Sequence, residues 1–551
     1  MLLPTFGMSN AVMAAEKVYA AYSSLEFAIP VSSLERYVET GFIDLDLAGY
    51  EQYILPHKLQ EIRQILTQPI KINPMVAAHF LSSEQGAFLL RRLTELIKTK
   101  YGESEFNLQA LKTALISASE APEGFTLLNL LRQYPNQSIH IDVASSLEIA
   151  AELGKLMSAT QQAIAAVQAQ ATIEAANLPQ LPQPATPGNL SFQQYQVKFF
   201  DHKRQRLLLT DIYIPVVKQP VPVIVVSHGL GLDSSNFRYL AHHLAAHGFA
   251  VVIPNHPVNH QKINSLLVEK RKFLTNTNSE FSDPSEFKDR PLDIKFILDE
   301  LEKSNKSDAR LQNRLNLQQV GVFGQSLGGY TALALAGAKI DFQQLRANCQ
   351  PEILDKTWNI SLLLQCRALE LPAKSITKYN FRDERVKAAI TVNPITSSIF
   401  GQQGLSHIQT PVMIVGSSDD TVAPALAEQI LPFSWVTQPH KYLVMLLGAT
   451  HFSTIGNSSE QSKQVQLPPE MVGDAVQARQ SINALSLPFF QNYVHGKSEY
   501  LPYLKATYAH SLSTPSLKVN LVQSLNQQQL APLLDNPLKG LNPPKKKSLT
   551  L

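Results

Sequence analysis

The chain has 551 residues, more than one hydrophobic core usually organises, so two or more domains are expected. Its formal charge of +3 is small for that length and no basic stripe interleaved with aromatic residues occurs, which argues against nucleic-acid binding. The one dense basic run, Lys545-Lys546-Lys547, reads as a solvated end.

The first fifteen residues, MLLPTFGMSNAVMAA, carry no charge and end in small residues before Glu16. That is the pattern of the later part of a secretory signal peptide without its basic opening, so residues 1–15 predict export to the periplasm or beyond, with a cytoplasmic location as the alternative. No later stretch offers the roughly 18 uncharged apolar residues that span a bilayer, so no transmembrane segment is expected.

Residues 17–170 read as an all-helical domain. Ser32 and Glu35 have capping-box spacing. The runs LPHKLQEIRQIL, GAFLLRRLTELIKTKYG, NLQALKTALISASE and EIAAELGKLMSATQQAIAAVQAQA repeat apolar residues three and four apart. YPNQSIHIDV is the one extended-looking piece, and no grouping of carboxylates, histidines or glycines suggests chemistry. Pro179, Pro182, Pro184, Pro187 and Gly188 then mark residues 171–191 as a stiff linker.

Over residues 192–510 strands and helices alternate, as in a mostly parallel sheet with helices on both faces. YQVKFFD and RLLLTDIYIP form an opening hairpin. PVPVIVVSHG, FAVVIPNHP, QQVGVFGQS, RVKAAITVNP, TPVMIVGSSDD and KYLVMLLGATH are continuous apolar runs of the kind that buried parallel strands show. Residues 511–551 read as a tail. Two excursions, His256 to Arg290 and Ile340 to Asp383, interrupt the rhythm where lids or binding loops are commonly built. The second holds Cys349 and Cys366, neither in a CxxC pattern. In an exported protein the two are expected to pair and stiffen that excursion.

Gly324-Gln325-Ser326-Leu327-Gly328 matches G-x-S-x-G between a strand and a helix. A serine on that sharp turn is lifted clear of the sheet at a helix N-terminus, where developing negative charge is favoured. A hydroxyl needs a base, and His451 follows the last of the apolar strands. The base needs a carboxylate to fix its tautomer, and Asp419 and Asp420 end the preceding strand. The oxyanion donors expected are the backbone N–H groups of Leu327 and of Leu230, the latter in the SHGLG loop, with His228 shaping that loop. His243 and His247, four apart without an acidic partner, read as a wetted helix face, and no metal is expected.

Phe192 to Gly496 resembles a serine α/β-hydrolase, on the motifs SHGLG, NHP, DRPLDIKFILDEL, GQSLGGYTALALAGA, DDTVAP and GATHF. It most resembles the branch holding platelet-activating-factor acetylhydrolases and predicted dienelactone hydrolases. DTVAP with THF is similar to cutinase-like polyester hydrolases, and that alignment selects Asp420 over Asp419. The N-terminal segment resembles a domain of unknown function found ahead of such hydrolases in cyanobacteria. The resemblance implies an eight-stranded α/β-hydrolase sheet preceded by the helical domain. It also implies a Ser326–His451–Asp420 triad that cleaves short to medium or lipid-like esters without a cofactor. Three departures stand out: true dienelactone hydrolases use a cysteine where this chain has Ser326, Gln325 stands where histidine is commoner, and NHPVNHQ stands where the acetylhydrolases tend to carry a small Gly-Ser-bearing loop. A non-catalytic binding protein on the same fold is the alternative, and among enzymes a thioesterase or a peptidase.

Overall fold

The computed structural model describes residues 15–22, 25–51, 56–67, 78, 81, 84–98, 104–122, 124–175, 188–257, 283–354, 356–372, 379–457, 472–525 and 530. The predicted signal segment lies outside these residues apart from Ala15. The chain forms two compact units, Met1–Lys155 and Leu156–Leu551.

The first unit is not all-helical. It contains a four-stranded sheet of β1 (Lys17–Tyr22), β2 (Leu25–Pro30), β3 (Ile97–Lys98) and β4 (Ser138–Asp142) in the order β2-β1-β4-β3, with β1 and β4 parallel. The extended-looking YPNQSIHIDV does hold β4, but β1, β2 and β3 escape a reading of the sequence, because they are short and mix polar with apolar residues so that no period shows. Helices Val31–Thr40, Pro56–Thr67, Glu84–Leu96, Ser104–Ser119 and Leu127–Gln133 accompany the sheet. Val18, Leu34, Leu90, Leu111, Ala114 and Ile139 share one core. The predicted capping box is absent, because the helix begins at Val31 with Pro30 at its N-cap, which puts Ser32 inside the first turn. Glu35 instead accepts a 2.6 Å hydrogen bond from Arg132 Nε.

Helix Val143–Ala175 runs past the division between the units. In the second unit it buries Ala159, Ala163, Val167 and Ala171, a stripe at four-residue spacing. Most of the proline-rich linker, residues 176–187, lies outside the described residues.

Among the described residues the second unit holds nine strands: β5 (Phe192–Asp201), β6 (Arg206–Pro215), β7 (Val221–Ser227), β8 (Ala250–Asn255), β9 (Leu315–Gln325), β10 (Val386–Val392), β11 (Val412–Ser417), β12 (Lys441–Leu447) and β13 (Lys518–Val522). Their order is β13-β12-β11-β10-β9-β7-β8-β6-β5, with β8 through β12 parallel to their neighbours in the middle and antiparallel pairs at both edges. The ninth strand corrects the expected count of eight and the reading of residues 511–551 as a tail. KVNLV is five residues long and buries Val519 and Leu521 against β12, a signal too brief to separate from a loop.

Side chains alternate across this sheet as the pleat requires. In β7, Ile224 and Val226 join the core under helices Arg238–Ala246 and Ala475–Tyr493, while Val223 and Val225 face helix Glu286–Ser307. Because β7 and β9 to β12 run parallel, their carboxyl ends lie along one side of the sheet, where open α/β sheets bind ligands. His228, Ser326, Asn393, Asp420 and His451 all follow those ends.

Of the two excursions, residues 258–282 lie outside the described residues. The second folds as helices Phe342–Asn348, Pro351–Leu354 and Ile360–Cys366 with a short turn Arg367–Glu370, and Cys349 and Cys366 are joined by a disulfide. Among the described residues no helix is long and apolar enough to cross a membrane.

Candidate active site

Ser326 connects β9 to helix Leu327–Leu335 with φ 56° and ψ −119°, a positive-φ conformation costing a non-glycine residue about 1–3 kcal/mol. The surroundings hold it there. Its N–H donates to the Val392 carbonyl (2.9 Å), and its carbonyl accepts the first helical bond from Tyr330 N–H (3.1 Å). The flanking glycines are sterically required: a Cβ on Gly324 would stand 2.0 Å from the Gly328 carbonyl oxygen, and one on Gly328 would stand 2.0 Å from that of Ser227. Strand, turn and helix therefore approach more closely than any side chain permits. Tyr330 supports the turn from below by donating to the Phe287 carbonyl (2.7 Å) and stacking on Phe400.

His451 and Asp420 are both buried. His451 Nδ1–H donates to Asp420 Oδ2 at 2.7 Å. The other carboxylate oxygen of Asp420 accepts from the N–H groups of Val422 (2.9 Å) and Ala423 (2.7 Å), which fixes the plane of the group. Asp419 is exposed and its carboxylate accepts from the Ser418 hydroxyl instead.

Two residues to which the sequence assigned no role hold the His451 loop. Gln325 Nε2 and Asn393 Nδ2 both donate to the His451 carbonyl, at 3.2 and 3.3 Å, and Asn393 Nδ2 also reaches the Thr450 carbonyl at 3.3 Å. Gln325 also lies against the SHGLG loop, since a Cβ on Gly229 would be 2.3 Å from Gln325 Oε1. The residue that replaces the commoner histidine thus touches the loops on either side of Ser326.

Leu327 is the first residue of its helix, where a backbone N–H has no acceptor within the helix. Leu230 sits in the turn after β7 and is 37% exposed. Beneath that turn His228 is buried and neutral: its Nδ1–H donates to the Gly229 carbonyl (2.8 Å) and its Nε2 accepts the His256 N–H (3.2 Å). Burial, reinforced by the nearby Arg290 charge, holds its pKa well below the usual histidine range.

The second excursion is anchored beside Asp420. The Ser361 N–H donates to the Val422 carbonyl (2.9 Å). Glu428, fully buried, accepts from the N–H groups of Thr396 (2.6 Å) and Ser397 (2.9 Å) and from Gln365 Nε2 (2.9 Å). Gln365 Oε1 in turn accepts from the N–H groups of Ser398 (2.8 Å) and Ile399 (2.9 Å). A buried carboxylate is thereby satisfied by hydrogen bonds alone, and it ties the disulfide-bonded helix to the loop after β10.

His243 and His247 are half-buried rather than wetted. His247 Nδ1–H donates to the His243 carbonyl (2.7 Å), and burial lowers the His243 pKa to about 4. Among the described residues no cluster of histidine, cysteine, aspartate and glutamate has the arrangement of a metal site.

Two family models match the chain. Residues 14–142 match a family described as "Alpha/beta hydrolase of unknown function (DUF1400)", and residues 222–344, which include Ser326, match one described as "alpha/beta hydrolase fold". No curated protein matches the chain. Neither match carries the narrower resemblance to the acetylhydrolase branch. The second unit of this chain is an α/β-hydrolase-fold domain, and families of that fold are generally hydrolytic enzymes.

Proposed function

We propose that the protein is a serine hydrolase that cleaves carboxylic esters through an acyl-enzyme. The observation that carries the reading is the 2.7 Å bond from His451 Nδ1 to the buried Asp420 carboxylate, on a loop that Gln325 ties to the strained Ser326 turn. With its Nδ1 proton committed to Asp420, the neutral imidazole keeps Nε2 as the base. In this reading Ser326 Oγ attacks the ester carbonyl as His451 takes its proton. The Leu230 and Leu327 N–H groups stabilise the oxyanion, and His451 returns the proton to the leaving alcohol. Water then repeats the sequence on the acyl-enzyme. No step calls for a cofactor.

The second excursion supports ester rather than peptide substrates in this reading. Ile360 and Leu363 are half-buried and lie on the helix anchored beside Asp420, where they supply an apolar wall for an acyl chain. Short to medium acyl esters, lipid-like ones included, fit such a wall. Export to an oxidising compartment suits the disulfide and is part of this proposal.

A fluorophosphonate probe tests the reading. It should label Ser326 in the wild type and nothing in Ser326→Ala. Ser326→Ala and His451→Ala should each lower kcat by several orders of magnitude, and the double variant by little more, because the residues act as a unit. An unlabelled wild type, or losses that multiply in the double variant, would sink the proposal.

A further inference from the structure

Next to the candidate site a second chain of buried polar groups runs Ser227–His256–Asp293, unused by the proposed reaction. The Ser227 hydroxyl meets His256 Nε2 at 3.0 Å, and His256 Nδ1–H donates to Asp293 Oδ2 at 3.1 Å. Arg206 binds both carboxylate oxygens of Asp293 (2.9 and 2.8 Å) and Arg204 Nη1 binds one (2.7 Å). Asp293 is therefore a carboxylate and accepts only. That places the His256 proton on Nδ1 and makes Ser227 the donor to Nε2.

The order hydroxyl, imidazole, carboxylate copies that of a catalytic triad, but Ser227 is not a nucleophile. It is fully buried and paired in the sheet opposite Gly324, and its carbonyl oxygen occupies the place where a Gly328 Cβ would stand. No substrate carbonyl reaches it. The network leads instead to the SHGLG turn. The His256 backbone N–H donates to His228 Nε2 (3.2 Å), and His228 Nδ1–H donates to the Gly229 carbonyl (2.8 Å). Arg290, whose Nε donates to Glu286 Oε2 at 2.6 Å, donates from Nη1 to the His228 carbonyl at 2.6 Å. The turn that presents Leu230 is thus fastened to the interior at consecutive backbone positions. Two motifs without an assigned role, NHP and DRPLD, supply His256, Arg290 and Asp293.

We propose that His256, locked at both ring nitrogens by Ser227 and Asp293, is a positioning residue that holds the Leu230 arm of the oxyanion hole in place. The proposal rests on the serine-hydrolase reading above. An oxyanion donor is effective only when it is already aimed before charge develops. Loosening its support therefore weakens transition-state binding and leaves ground-state binding nearly unchanged.

The test compares His256→Asn and Ser227→Ala with the wild type. Four quantities are read: kcat and KM on p-nitrophenyl butyrate, affinity for an alkyl trifluoromethyl ketone whose adduct bears an oxyanion, extent of fluorophosphonate labelling, and Tm. Removing an oxyanion donor outright costs about 10²–10³-fold, so a displaced donor should cost less: roughly 30-fold in kcat/KM for His256→Asn and roughly fivefold for Ser227→Ala. Ketone affinity should fall in parallel per labelled molecule, with KM within about threefold of the wild type. Should His256→Asn fail to fold, Ser227→Ala, which removes a single oxygen, decides the matter alone. If kcat/KM and ketone affinity per labelled molecule stay within twofold, or the loss lies wholly in KM, the proposal is overturned. If the wild type itself is not labelled at Ser326, the hydrolase reading falls and takes this proposal with it. Full wild-type labelling with unaffected variants overturns this proposal only.

Discussion

Replacing Asp420 by Asn keeps size and shape and removes one charge, so its effect can be worked from the hydrogen bonds. The carboxylate has two occupied faces. One oxygen accepts from the N–H groups of Val422 and Ala423, and the other from His451 Nδ1. An amide must present its NH2 to one of these faces. Turning it toward Val422 and Ala423 would set it against two buried donors, at about 1–3 kcal/mol for each bond lost. The NH2 therefore faces His451 and donates to Nδ1, which forces the imidazole proton onto Nε2, where the base must be free. Restoring the productive tautomer leaves a buried donor unpaired, again about 1–3 kcal/mol. The lost attraction between carboxylate and imidazolium adds about 4 kcal/mol for charges roughly 4 Å apart at an effective dielectric of 20. The sum, about 5–7 kcal/mol, corresponds to a fall in kcat of roughly 10⁴–10⁵-fold. Asp419→Asn changes an exposed group whose only described side-chain partner is the neighbouring Ser418, and kcat should stay within about twofold. Both variants would be assayed for kcat on p-nitrophenyl butyrate, with the labelled fraction as the count of active sites. A loss below tenfold at Asp420, or equal losses at the two positions, would refute the reasoning.

Three other outcomes are expected. In protein purified without reductant, intact mass before and after alkylation should show Cys349 and Cys366 linked. Replacing both by Ser should lower unfolding stability by about 3 kcal/mol for a sequence separation of 17, and a denaturant curve showing no change would count against a structural role. Acid should destabilise the fold in two stages. Burial lowers the pKa of His228 and of His256 in the native state, so unfolded imidazoles near 6.5 take up protons that the folded ones refuse. That stability is complete above about pH 6.5 and erodes below it. Burial alone would raise the Asp293 carboxyl, but hydrogen bonds from His256 and Arg206 outweigh it and bring the pKa to about 2, so its contribution is lost only as the pH falls from about 4 toward 2. A Tm that stays level from pH 7 to pH 5 would contradict the first stage. On p-nitrophenyl esters, kcat/KM should rise about fourfold per added methylene, the equivalent of roughly 0.8 kcal/mol, until the pocket is full. Leu363→Ala should open room for a longer preferred chain, and a preference for peptides or indifference to chain length would show the apolar-wall argument to be wrong.

The parallel sheet was legible because its strands are unbroken apolar runs, and the Ser326 turn because its glycines are demanded by contact. Gly324 and Gly328 leave their mark on the sequence at fixed distances from the serine, and their reason is local. In the first unit only β4 was legible, within the extended-looking YPNQSIHIDV, while β1, β2, β3 and β13 were not. β8 and β11 are no longer than β1 and β2 but are almost continuously apolar, whereas KVYAAY, LEFAIP and KVNLV mix polar residues into too few positions for a period to emerge.

The residues that hold the candidate site together were hidden for a different reason. Gln325 reaches the His451 carbonyl across 126 positions, Asn393 reaches it across 58, and Gln365 meets Glu428 across 63. A buried polar group must find a partner, but the partner can come from any segment that the sheet brings near, so sequence spacing says nothing about it. Such bonds join strand ends that are adjacent only because the parallel order places them so. Unlike apolar contacts they are directional, and they set where a loop stands to within tenths of an ångström, where apolar packing alone would let it slide. A catalytic arrangement of this kind needs that accuracy at several loops at once, among them those after β7, after β9 and after β12. Gln325 touches the first and the third from a position next to Ser326. One glutamine side chain therefore refers both flanking loops to the strand that carries Ser326, which is a physical reason for a long amide at the position where the resembling enzymes more often carry histidine.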